Sequence, residues 1–191
     1  MAPRRRYGLM MGWNVKKTIV MVGMMGAGKT AVGRALAARL GVAFIDSDAE
    51  IELAANASIA EIFQRDGEAF FRAKETQVIE RLLGGESGIL STGGGAFMQP
   101  ANRQMISAQG VSVWLDAPLS LLWQRVRHKD TRPLLRTPDP HATLAEMFEL
   151  RVPVYALADL RVPVLARYSI EDTVDAVIEL LQTRPDVLAK E

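Results

Sequence analysis

The sequence contains no cysteine, which excludes a disulfide framework, thiolate metal sites and any cysteine nucleophile. Its only histidines, His128 and His141, are too few for a histidine-rich metal centre. No apolar run approaches the ~20 residues that a membrane-spanning helix requires. The most apolar stretch is the nonapeptide Ile19–Ala27, IVMVGMMGA. A dominant charge is also missing, since the formal net charge is +1, and no general attraction to nucleic acid or membrane follows from it. What remains, 49% hydrophobic and 24% charged residues over 191 positions, matches an ordinary soluble globular domain.

The near-zero sum conceals an asymmetry. Residues 1–45 carry eight Lys/Arg and no acid, whereas residues 46–75 carry eight Asp/Glu against three Lys/Arg. The amino-terminal MAPRRRYGLMMGW is basic but lacks both a long apolar segment and a small-residue cleavage site. It reads as a flexible leader rather than a secretory signal, and a cytoplasmic enzyme is expected.

Along the chain, short apolar strands alternate with amphipathic helices, the pattern of a parallel sheet covered on both faces. Strands are expected at Thr18–Val22, Val42–Ile45, Gly88–Thr92, Val111–Leu115 and Leu160–Val164. Helices are expected over Thr30–Leu40, residues 58–83 with a break near Gly67, Pro118–Arg127, Leu144–Leu157 and Ile170–Gln182. Ser58 with Glu61 three places on reads as a capping box, and Pro153 should kink or break its helix. Residues 128–142 hold Pro133, Pro138 and Pro140 without apolar periodicity and read as a mobile loop.

The sharpest motif is Gly23-Met24-Met25-Gly26-Ala27-Gly28-Lys29-Thr30, which satisfies G-x-x-x-x-G-K-[ST] between a strand and a helix. Glycines let successive N–H groups turn inward, and the helix amino end adds positive partial charge. Lys29 is placed to reach the outer phosphates of a nucleotide and Thr30 to ligate Mg²⁺. Nucleotide phosphate binding follows; the acceptor does not.

Further candidates lie where strands should end. Asp46-Ser47-Asp48 can divide two tasks, one carboxylate near a metal and the other near an acceptor hydroxyl; alternatively Asp48 caps the next helix. Gly93-Gly94-Gly95 allows close backbone approach to a ligand, or makes a tight turn. Arg72 and Arg151 are unremarked surface arginines if taken singly, but together could grip a small anion bidentately. Arg132, in the proline-marked loop, could close over a transferring phosphoryl group and exclude water.

Taken together, these residues closely resemble shikimate kinase over residues 17–182. The resemblance rests on the Gly23–Thr30 loop, Asp46-Ser47-Asp48, Glu61-Ile62-Phe63…Gly67-Glu68…Phe71-Arg72, Thr92–Gly95, Arg132–Leu135 and Leu150-Arg151…Tyr155. It implies an α/β P-loop NTPase fold of the nucleoside-monophosphate-kinase type, its five-stranded parallel sheet in the order 2-3-1-4-5. It also implies a single kinase domain over 17–182, with a substrate-binding region near 46–75 and a lid near 124–142. Residues 1–16 and 183–191 are left as leader and tail.

The implied reaction is transfer of the ATP γ-phosphate to the shikimate 3-hydroxyl, on the route to chorismate and the aromatic amino acids. By the same resemblance Gly26, Ala27, Gly28, Lys29, Thr30, Ala31, Arg125 and Arg132 bind ATP, with Arg125 at the adenine. Asp48, Arg72, Gly94, Gly95 and Arg151 bind shikimate, and the two arginines take its carboxylate. Lys29, Asp48 and Arg132 are the catalytic residues, while Thr30 and Asp46 hold Mg²⁺. The implied partners are shikimate and ATP, without nucleic acid or membrane, in a monomer. Gluconate kinase shares the loop but should lack the glycine triplet together with Phe71-Arg72 and Leu150-Arg151. Adenylate kinase is disfavoured because its Gly-Phe-Pro-Arg signature is missing. A catalytically silent nucleotide-binding relative should have lost one of these charged groups, and all of them are present.

Overall fold

The computed structural model describes residues 12–128 and 133–190. The organising strand is β2, Thr18–Val22, whose five residues TIVMV are all buried, as a strand covered on both faces must be. It pairs in parallel with β4, Ile89–Ser91, and with β5, Gly110–Asp116. Outside these lie β3, Phe44–Asp46, and β6, Leu160–Pro163, also parallel. The order is β3-β4-β2-β5-β6. Counted from β2, this is the 2-3-1-4-5 arrangement expected.

Register explains the position of the site. Ser91 is level with both Met21 and Asp46, and Val22 is level with Trp114. The loops leaving β2, β3 and β4 therefore start side by side at one carboxyl edge of the sheet, where open α/β sheets bind ligands.

The leader and tail boundaries need correcting. Trp13–Val15 forms β1, paired antiparallel with Leu188–Lys190, β7. Lys16 N donates to Val187 O at 2.8 Å, Lys17 pairs with Asp186 at 3.0 Å, and Lys190 lies over the Trp13 ring. Segments assigned to leader and tail thus close on each other. Residues 1–11, the rest of that expected leader, lie outside the described residues.

The helices are α1 (Lys29–Leu40), α2 (Ser47–Ala55), α3 (Ile59–Leu83), α4 (Pro100–Gln109), α5 (Leu119–Val126), α6 (Pro140–Tyr155) and α7 (Ile170–Leu181). Two of them, α2 and α4, have no counterpart in the periodicity read from the sequence. Arg39 ties α1 to α7 through Glu171 and Asp175, at 2.5 and 2.9 Å.

Nor does α6 match expectation, because it starts at Pro140 and runs through Pro153. Its last turn survives because proline removes one donor only. Ala156 N still bonds Val152 O at 2.9 Å and Leu157 N bonds Val154 O at 3.0 Å. Arg151 and Tyr155 consequently stay four residues apart on one helical face.

The capping box of α3 is present as read, with Ser58 N donating to Glu61 Oε2 at 2.7 Å. Its break is also present: Gly67 adopts φ 81°, ψ 173°. Beside the main core, Ile51, Ile62, Phe71 and Val78 form a small separate one between α2 and α3. That second core seats the start of the long helical segment carrying Arg72.

Gly67 provides a test of this architecture. A Cβ there would meet nothing within 4 Å, so replacement by alanine costs backbone strain alone. Gly67→Ala should lose about 1–3 kcal/mol of unfolding free energy, measurable by denaturant titration. An unchanged midpoint would show that the kink accepts a side chain.

Candidate active site

At the amino end of α1 the N-cap is Gly28, left-handed at φ 100°, with no side-chain cap and no acid in the first turn. The first-turn N–H groups have no acceptor in the helix and, with the helix dipole, suit an anion. Elsewhere Asp46, Ser58, Asp139 and Ser169 cap α2, α3, α6 and α7. Lys29 Nζ donates to the carbonyls of Gly23 and Met24 at 2.8 and 3.0 Å, which holds the ammonium over its own loop. From α5, Arg125 Nη1 donates to Gly26 O and Ala27 O at 3.0 and 3.3 Å.

A cleft of about 490 Å³ is lined by Gly26–Ala31, Asp46, Asp48, Gly93, Gly94 and Arg125. Val164, Tyr168, Ile170 and Thr173 also line it. No motif marks these four. Topology was the available signal, since their segment leaves the carboxyl end of a parallel strand.

Asp46 holds two positions at once. Its Oδ1 accepts from Asp48 N and Ala49 N at 3.0 and 3.3 Å, and its Oδ2 accepts from the Thr30 hydroxyl at 3.3 Å. The cap of α2 is therefore Asp46, not Asp48. Freed from capping, the Asp48 carboxyl sits above the usual carboxylate range. Burial is the main cause and the Asp46 charge adds to it, while Lys29 opposes both.

The glycine triplet brings the remaining candidates together. A Cβ on Gly93 would lie 2.7 Å from Asp48 Oδ1; on Gly94, 3.2 Å from Arg151 Nη1; on Gly95, 2.5 Å from Arg72 Nη2. Space that side chains would fill is thus held by three groups from α2, α6 and α3. The two guanidinium groups converge on adjacent residues.

Glu75 was missed from sequence. It is fully buried on α3, accepts from Arg72 Nη1 at 2.9 Å, and leaves its Oε1 without a partner. Burial raises its carboxyl, against the lowering influence of Arg72 and Arg151. The three-residue spacing from Arg72 was the signal for this pair. Arg132 lies outside the described residues.

The sequence model of the family described as shikimate kinase matches residues 25–182. The chain belongs to the shikimate kinase family. A shikimate kinase of Ruegeria pomeroyi is 69% identical over 172 residues, covering 90% of this chain and 88% of that one. One from Cereibacter sphaeroides is 64% identical over 174 residues, with 91% and 87% covered. Among solved structures, shikimate kinase from Acinetobacter baumannii in complex with shikimate superposes with TM-score 0.82. That pair shares 38% identity and covers 87% of this chain and 93% of the other. A gluconokinase from Sinorhizobium meliloti, at 18% identity and TM-score 0.58, shares the fold.

Asp48 gives this shikimate kinase family member a testable tension. An acid raised by folding holds its proton more tightly folded than unfolded. Stability therefore falls as pH climbs from the ordinary carboxylate value through the raised one. Asp48→Asn should flatten that part of the stability–pH profile and keep the thermal midpoint at neutral pH at or above wild type. Turnover should fall about 100-fold or more. A lower midpoint at neutral pH would contradict the assigned cause.

Proposed function

We propose that the chain transfers the γ-phosphate of ATP to the 3-hydroxyl of shikimate, giving shikimate 3-phosphate and ADP. The observation that carries this reading is the glycine triplet, flanked by Asp48, Arg151 and Arg72 beside a phosphate-binding loop. Two guanidinium groups suit the acceptor carboxylate, each able to form paired charge-assisted hydrogen bonds. Asp48 then meets the reacting hydroxyl, orients it and accepts its proton, a task its raised pKa favours. Lys29 and the first-turn N–H groups of α1 neutralise charge on the phosphates, and Arg125 flanks the adenine. Residues 46–75 serve as the acceptor-binding region. Residues 124–142 serve as a lid, with Arg132 closing on the transferring group.

Thr30 and Asp46 are hard oxygen donors side by side, a set that fits Mg²⁺ together with phosphate oxygens and water. When bound, the ion supplies charge neutralisation at the phosphates. No helix among the described residues is long and apolar enough to cross a membrane. A cytoplasmic monomer making a precursor of chorismate and the aromatic amino acids is the corresponding cellular reading.

The deciding experiment follows ADP release from Mg-ATP with shikimate, gluconate, AMP or no acceptor. Release dependent on shikimate is expected, whereas acceptor-independent hydrolysis would overturn the reading. Phosphoryl transfer depends on positioning and charge stabilisation, so Lys29→Ala and Arg132→Ala should lower kcat more than shikimate affinity. A hydrogen bond to a charged group contributes about 1.5–3 kcal/mol. Arg151→Ala should accordingly raise the shikimate KM about 10- to 100-fold, and an unchanged KM would remove Arg151 from the carboxylate grip.

A further inference from the structure

The three glycines have no side chains to fix their backbone, and glycine is the residue with most conformational freedom to lose. Their order must come from bonds to their peptide groups. Gly93 O accepts from Ala96 N and Gly95 O from Met98 N, each at 3.1 Å, within the short 3₁₀ turn Ala96–Met98 that follows. The middle carbonyl is held differently. Gly94 O accepts from the Tyr155 hydroxyl at 2.5 Å, across 61 residues of sequence.

Tyr155 is built for one position. Its side chain is fully buried, and its ring stacks on Phe97 and Trp114 with centroids 6.4 and 6.2 Å away. Burial pushes its phenol up to about 12, so it remains a protonated donor at neutral pH. The Arg151 guanidinium lies beside it: a Cβ on Gly94 would be 3.2 Å from Arg151 Nη1 and 3.7 Å from the Tyr155 hydroxyl. The hydroxyl thus holds the Gly94 carbonyl next to an arginine one helical turn earlier.

In a planar trans peptide the carbonyl and the following N–H point in opposite directions. Holding Gly94 O therefore fixes where the Gly95 N–H points. A Gly–Gly peptide lacks the Cβ atoms that resist rotation of this plane, so without the phenol the C=O and N–H can exchange places.

We propose that Tyr155 is a positioning residue for the acceptor: its hydroxyl sets the Gly94–Gly95 peptide in one orientation beside the Arg151 guanidinium. The shikimate-binding half of the cleft is thereby assembled before the acceptor arrives. This rests on the shikimate reading above, and the nucleotide half is independent of it, because the loop at 23–30 has its own backbone and lysine contacts.

Tyr155→Phe tests it, since the ring and its stacking remain while one oxygen is removed. The shikimate KM should rise about tenfold, as loss of one buried hydrogen bond implies, with the ATP KM and thermal midpoint close to wild type. In ¹⁵N-labelled protein, the Gly95 amide signal should shift or broaden, while amides of the 23–30 loop stay in place. An unchanged shikimate KM, or both KM values rising together with a lowered midpoint, overturns the proposal. A wild-type chain inert toward shikimate defeats the substrate reading, and the Gly95 amide still tests the tyrosine's hold on the peptide.

Discussion

The meeting of Asp48, Arg72 and Arg151 depends on the space that three missing side chains leave at Gly93–Gly95. Asp48, Arg151 and Arg72 fill it from three different helices: a methyl group would lie 2.7 Å from Asp48 Oδ1 on Gly93, 3.2 Å from Arg151 Nη1 on Gly94 and 2.5 Å from Arg72 Nη2 on Gly95. The bare backbone lets the charged groups approach, while its own order comes from the bonds that Ala96 N, Met98 N and the Tyr155 hydroxyl make to its carbonyls. Much of the surrounding structure serves this arrangement. The level register of β2, β3 and β4 brings the loops together. The small core of Ile51, Ile62, Phe71 and Val78 seats the helix that carries Arg72.

The 23–30 loop and the arginine cluster are built by different means. The loop presents backbone N–H groups at an uncapped helix, so its charge is partial, fixed and spread along a curve. The cluster at the glycine triplet presents whole charges on long side chains, and these need support. Glu75 gives it to Arg72 from a fully buried position, with one carboxylate oxygen left unpartnered. An orphaned buried acceptor is a stability cost. Its persistence beside the site is understandable if what it secures is the direction of a guanidinium group.

How much of this was legible in the sequence depended on distance along the chain. The 23–30 loop, the Ser58–Glu61 box and the break at Gly67 are local, since each needs only neighbours within a turn or two, and each could be read directly. Arg72 and Arg151 gave no signal singly, because their meaning lies in a meeting across 79 positions, and only resemblance to a known family drew them out. β1 and β7 were illegible for the same reason. Three-residue strands carry almost no pattern, and their partners lie at the far end of the chain. Pro153 misled because a proline was expected to kink or break the helix, whereas in the last turn it removes one donor and leaves the geometry to continue.

The pairing of β1 with β7 sets Trp13 directly opposite Lys190, a separation of about 5 Å between Cα atoms in such a ladder. The two ends of the described segment are therefore neighbours in space. The order of strands owes nothing to where the chain is cut. A circularly permuted version, joined across that gap by a short linker and reopened in an exposed connection such as 84–87, keeps every sheet neighbour it has now.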